Sequence, residues 1–93
     1  MVEKRVHIIV RGLVQGVGFR MFVHREASAR SLSGWTRNLP DGTVEIEVQG
    51  IAGLVDELVR QTRIGPSRSQ VNAIGVRELV VTANAETDFN IRY

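Results

Sequence analysis

Residues 6–30 read VHIIVRGLVQGVGFRMFVHREASAR, and a change of period inside this stretch decides the fold. Val6, Ile8 and Val10 alternate with His7, Ile9 and Arg11, the period of two that places one face of a strand on a core. A strand over about 5 to 12 follows. The next seven residues, Gly12-Leu13-Val14-Gln15-Gly16-Val17-Gly18, hold three glycines and read as a loop. From Phe19 the spacing is helical: Phe19, Phe22, Val23, Ala27 and Arg30 share a face and predict a helix over about 21 to 31.

Beyond this unit, Gly34-Trp35-Thr36-Arg37-Asn38 reads as a short strand, and Leu39-Pro40-Asp41-Gly42 as a turn. Val44, Ile46 and Val48 alternate with Glu45, Glu47 and Gln49, a half-buried strand whose acids lie on the solvated side. Ile51, Leu54, Val55, Leu58 and Thr62 mark a second amphipathic helix, stopped at Gly65-Pro66. Strands are expected over 76 to 83 and, shorter, over 89 to 93. The order is β-α-β-β-α-β with a short C-terminal strand. Two helices separated by a hairpin, each with one apolar face, pack on one side of a sheet. The expectation is an α+β, ferredoxin-like open sandwich: an antiparallel β-sheet with two helices on one face, as a single domain over 1–93.

Composition narrows the function classes. Hydrophobic residues at 43% and charged residues at 24% are ordinary globular usage, neither disordered nor membrane-like. No run of about twenty apolar residues occurs, so no transmembrane helix is expected. The basic start carries only a short, interrupted apolar stretch, which fits a strand rather than a signal peptide. The absence of cysteine removes disulfides, thiolate metal sites and a cysteine nucleophile, and suits a reducing cytoplasm, the expected location. The net charge of +2 is small, and arginines such as Arg11, Arg25, Arg60 and Arg77 are scattered among acids rather than gathered into a stripe. Nearly all the positive charge is arginine, whose fork fits phosphate and carboxylate oxygens.

The glycine loop is the sharpest chemical feature. Glycines let consecutive N–H groups turn inward as a concave nest, and a helix N-terminus immediately after adds free N–H donors. Arg20 at the junction adds a permanent forked cation. Two better-known phosphate motifs fail here: a P-loop needs Gly-Lys-Ser/Thr where Gly18 is followed by Phe19-Arg20, and the dinucleotide fingerprint needs a glycine where Met21 stands. A tight strand-to-helix turn with a solvated Arg20 is the plain alternative, and for Asn38 the alternative is turn formation ahead of Pro40-Asp41-Gly42. His7 and His24 have no metal-ligand spacing, and Trp35 reads as core or site wall.

Both plain alternatives are displaced by a resemblance. Gly12-Leu13-Val14-Gln15-Gly16-Val17-Gly18-Phe19-Arg20 resembles the first signature of the acylphosphatase family, of the type G-x-V-Q-G-V-G-F-R, at every specified position. Gly34-Trp35-Thr36-Arg37-Asn38, followed by Gly42-Thr43-Val44 and later Gly50, resembles the second, and 89 to 92 looks like the family's last strand. The resemblance implies metal-independent hydrolysis of a carboxyl–phosphate bond, without a cofactor. Arg20 would bind the phosphate and Asn38 would orient the attacking water. The backbone of Gln15, Gly16, Val17, Gly18 and Phe19 would complete the cradle. It also implies a small-molecule acyl phosphate as partner; the scattered charge and the lack of a long apolar run lead to the expectation of no nucleic acid and no membrane, and a monomer is the simplest expectation. Three positions depart from the pattern: Thr36 between the aromatic and basic residues, Ser31 where a glycine often ends the first helix, and Ser67 after Gly65-Pro66.

Few groups suffice for such chemistry. The leaving carboxylate is the anion of a fairly strong acid and needs no proton donor, so positioning and charge stabilisation carry the reaction. A phosphate monoester leaves as an alkoxide and lacks that advantage. One rival is the similar domain of hydrogenase-maturation carbamoyltransferases, against which the end of the chain at Tyr93 counts. The other is a non-enzymatic phosphate- or RNA-binding ferredoxin-like module, since Gly18-Phe19-Arg20-Met21-Phe22-Val23 faintly echoes an RNA-binding signature. That signature needs aromatics on a strand face, and here the period is helical.

Overall fold

The computed structural model describes residues 1–83 and 85–93. Seven elements follow the chain: β1 (Glu3–Leu13), α1 (Phe19–Ala29), β2 (Ser33–Asn38), β3 (Val44–Ile51), α2 (Ala52–Ile64), β4 (Gln70–Leu79) and β5 (Phe89–Arg92). They form one five-stranded sheet in the order β4-β1-β3-β2-β5. β3 pairs antiparallel with both β1 and β2, so α1 crosses over β3 to join two parallel strands. β4 pairs antiparallel with β1 on the outer side, and α2 makes the matching crossover. The expected ferredoxin-like sandwich is therefore present. β5 adds a departure from an all-antiparallel sheet: it runs parallel to β2, with Gly34 opposite Phe89 and Thr36 opposite Ile91.

Alternation dictates the core. Val6, Ile8 and Val10 of β1 lie across from Val48, Ile46 and Val44 of β3, and all six are buried. Phe19, Val23 and Ala27 of α1, with Val55 and Leu58 of α2, cover that face. The i, i+4 spacing of the trio and the i, i+3 spacing of the pair put each set on one helical stripe. Burial of such side chains contributes about 1.5–3 kcal/mol each, which makes this layer the main source of stability. Among the described residues, no helix is long and apolar enough to cross a membrane.

Several boundaries differ from the sequence reading: β1 runs over Glu3–Leu13 rather than 5–12, so Gly12 and Leu13 belong to the strand and not to the loop, and the larger differences are at α1 and β4. α1 starts at Phe19, two residues earlier than expected, because Gly18 in the left-handed region already turns the chain into the helix. It ends at Ala29, where Leu32 N–H reaches Ala27 O (3.0 Å) and Ser31 N–H reaches Ser28 O (3.1 Å). This closing turn demands a left-handed residue, and Ser31 supplies it at φ 56° in place of glycine. β4 spans 70–79 rather than 76–83. As an edge strand it is largely exposed on both faces, so no alternation marks its first half, while Val80 and Val81 lie past its end.

The open face of the sheet is more structured than solvated acids would be. Glu45 accepts hydrogen bonds from Arg37 Nε (2.6 Å) and pairs with His7 Nε2 (2.7 Å), and only 14% of its side chain is exposed. Glu47 accepts from buried Arg5, whose Nε lies 2.9 Å from Oε2, and Arg5 Nη1 donates to Gln49 Oε1 (3.2 Å). Trp35 is nearly buried between Arg37 and Arg92, whose guanidinium carbons lie 5.3 Å and 4.4 Å from its ring centre.

Candidate active site

The β1–α1 loop, the end of β2 and the end of β5 converge on a cavity of about 110 Å³. One side is polar: Gly16 and Gly18, the Arg20 side chain and Asn38. The other is apolar: Val14, Phe19, Met21, Ile91 and Tyr93. β1 and β2 lie on either side of β3, so the loop after β1 and the last residue of β2 emerge at the same end of the sheet.

Glycine is required in the loop by conformation rather than crowding. Gly16 and Gly18 have φ of 74° and 77°, yet a Cβ built on either would touch nothing within 4 Å. The left-handed region costs an ordinary L-residue about 1–2 kcal/mol and costs glycine almost nothing. No side chain caps the helix after Gly18, and its first turn holds no acid, which leaves donors and the positive end of the dipole to an anion.

Arg20 is half-buried. Its Nη1 donates to Arg92 O (3.2 Å), and its guanidinium lies 4.8 Å from the ring centre of Tyr93. Among the described residues no carboxylate pairs with it, so its charge is left for a ligand, and it is the one cation on the cavity wall. Asn38 closes β2 opposite Val44, and its Oδ1 is buried without a hydrogen-bond partner. A buried acceptor left alone costs about 1–3 kcal/mol, a debit that a water or ligand proton would remove.

The turn beyond Asn38 is fixed from both sides. Gln15 Nε2 donates to Leu39 O (2.8 Å) and Thr43 O (2.9 Å), and Leu39 N–H donates to Thr43 O (2.9 Å). Asp41 Oδ1 accepts from Thr43 N–H (3.1 Å) and Oγ1 (2.6 Å), bonds that hold the Asp41 carboxyl below its ordinary pKa. Gln15 thus ties the loop to the turn that follows Asn38.

Of the residues expected from the sequence, Arg20, Asn38, Gly16, Gly18 and Phe19 come together at the cavity. Gln15 and Val17 are not on its wall: the Gln15 amide is engaged by the turn, and Val17 packs against the core. Sequence reading missed Val14, Met21, Ile91 and Tyr93. Ile91 had a signal in its i, i+2 relation to Phe89, but its place depends on parallel pairing of β5 with β2, which no local pattern announces.

Known proteins match this arrangement. The acylphosphatase family model aligns with residues 6–91. An acylphosphatase from Chlorobaculum tepidum is 79% identical over 81 residues, covering 87% of this chain and 88% of that protein. The crystal structure of acylphosphatase from Bacillus subtilis superposes with a TM-score of 0.91 at 40% identity, covering 97% of this chain and 99% of that one. Full-length HypF, in a phosphate- and nucleotide-bound crystal form, matches with a TM-score of 0.85 at 32% identity, covering 99% of this chain but 12% of its own. With the family model matched over residues 6–91 and these relatives aligned over most of its length, the chain belongs to the acylphosphatase family.

Proposed function

We propose that the cavity binds the phosphoryl group of a small-molecule acyl phosphate and that water attacks phosphorus there, giving a carboxylate and inorganic phosphate. The N–H groups around Gly16 to Phe19 and the Arg20 guanidinium neutralise the phosphoryl oxygens, whose charge must be balanced as the bond to the acyl oxygen lengthens. Asn38 Oδ1 accepts a hydrogen bond from the attacking water and holds it in line. The P–O bond to the acyl group breaks, its electron pair leaves on the carboxylate, and the water proton passes to a phosphoryl oxygen. Asn38 is neutral and acts by orientation.

The observation that carries this reading is the unpartnered, buried Asn38 Oδ1 in the same small cavity as an unpaired arginine. An acceptor and a cation on the wall of one small cavity suit a water beside an anion. A monomer is the simplest form of such a site, and the cysteine-free composition is in keeping with the cytoplasm. An RNA-binding role finds little support: Phe19 and Phe22 lie in α1, Phe19 within the core, and Trp35 is covered by arginines.

Steady-state kinetics of Asn38→Ala on benzoyl phosphate test the assignment. The expected result is a fall in kcat of about a hundredfold, equivalent to ~3 kcal/mol of transition-state stabilisation. Inhibition by inorganic phosphate should stay within about threefold of the wild type, since the cradle is intact. An unchanged kcat would remove Asn38 from the reaction.

A further inference from the structure

We infer that Met21 and Tyr93 form the seat of the acyl group, and that the substrates this site takes best are acyl phosphates with an apolar or aromatic acyl part. This rests on the phosphoryl assignment above. An apolar cavity of about 150 Å³ accommodates a benzene ring. At about 110 Å³, the present cavity has room for a phosphoryl group and a water but not for an acyl chain as well. The acyl group therefore lies across the mouth.

The composition of that mouth is one-sided. Val14 and Phe19 are buried and form the floor. Met21 is 51% exposed and Tyr93 is 97% exposed, so these two wall residues present surface outward. Met21 stands one position after Arg20 in the first turn of α1, and the Tyr93 ring lies against the Arg20 guanidinium. A group leaving from the phosphorus held by Arg20 emerges between them. Methionine is flexible and polarisable, and a tyrosine ring offers a flat apolar surface, so both adapt to a planar acyl group. Among the described residues no acid and no second cation line the wall. A second phosphate or carboxylate on the acyl part would find no partner, whereas an apolar one would cover exposed surface.

The test compares benzoyl phosphate with acetyl phosphate, both with the same reacting group, using wild type, Met21→Ser and Tyr93→Ala. Each kcat/KM is divided by the uncatalysed rate of its substrate. The inhibition constant of inorganic phosphate, which has no acyl part, reads the cradle alone. In the wild type the corrected kcat/KM should favour benzoyl phosphate by about tenfold or more, the lower range for apolar discrimination at an open site. Each substitution should lower the benzoyl-to-acetyl ratio by about fivefold. Met21→Ser should do so with little change in phosphate inhibition. A wild-type ratio near one, or a loss shared equally by both substrates in the variants, would overturn the acyl seat while leaving the phosphoryl assignment intact. No turnover of either substrate by the wild type would instead overturn the phosphoryl assignment and the seat with it.

Discussion

At Glu45 two basic side chains from different strands converge on one carboxylate. Burial alone would raise the Glu45 pKa, but hydrogen bonds and charge from His7 and Arg37 outweigh it and hold the carboxyl below its ordinary value of 4.5. A folded-state pKa that is depressed means stabilisation fully present above the unfolded value and lost as pH falls through the folded one. We expect Glu45→Gln to cost about 2 kcal/mol in urea unfolding at pH 7, the scale of hydrogen bonds to a charged group. As pH falls below 4.5 the gap to wild type should shrink, as the native carboxylate takes up its proton. A gap independent of pH would show that packing, not charge, sets the effect. The alternation in 44–49 puts Glu45 and Glu47 on the open face, but their partners depend on register. His7 lies directly opposite Glu47 yet bonds Glu45, and Arg5 lies opposite Gln49 yet bonds Glu47, each reaching diagonally across the pair. At the site, Arg20 and Asn38 were legible because the resemblance marks them. Met21 and Tyr93 were not, because side-chain exposure at a cavity mouth has no local code.

Among the elements, β2 links the core to the chemistry. It carries Asn38 at one end, and Gly34 near the other is where β3 and β5 both meet it. Gly34 has φ 141°, its N–H donates to Asp88 O (3.1 Å), and a Cβ there would collide with the backbone carbonyl of Glu47 in β3. Gly34→Ala should therefore destabilise the fold by about 3 kcal/mol, combining backbone strain with overpacking against main chain that cannot yield. Thermal unfolding followed by circular dichroism measures it, and a melting temperature within a degree of wild type would contradict the packing described. The sequence made most elements readable, since β1, β3 and both helices each carry one clear period. β4 was misplaced because an exposed edge strand has no buried face to impose alternation. The departure at Ser31 was visible in the sequence, and the structure shows its cost as a left-handed serine closing α1.

Over the whole molecule, the site is assembled from segments far apart in the chain: the loop before α1, the end of β2 and the end of β5. The sheet order β4-β1-β3-β2-β5 brings them together, with the helices holding the opposite side of the core. Two of these segments are contiguous motifs and could be read before folding. The third enters only through the parallel β2–β5 pairing, a long-range contact that the chain's local periods do not encode. Among the described residues the site holds an unpaired cation, uncapped helix donors and an orphaned acceptor, and in the function proposed above these suffice to cleave a bond whose leaving group needs no proton. The most direct measurement is hydrolysis of benzoyl phosphate by the purified protein in EDTA, with Arg20→Ala assayed beside it. Turnover should survive chelation, and kcat/KM should fall at least about a thousandfold in the variant, the range seen when an arginine clamp on a transferring phosphoryl group is removed. Turnover abolished by EDTA, or retained by Arg20→Ala, would contradict the phosphoryl assignment.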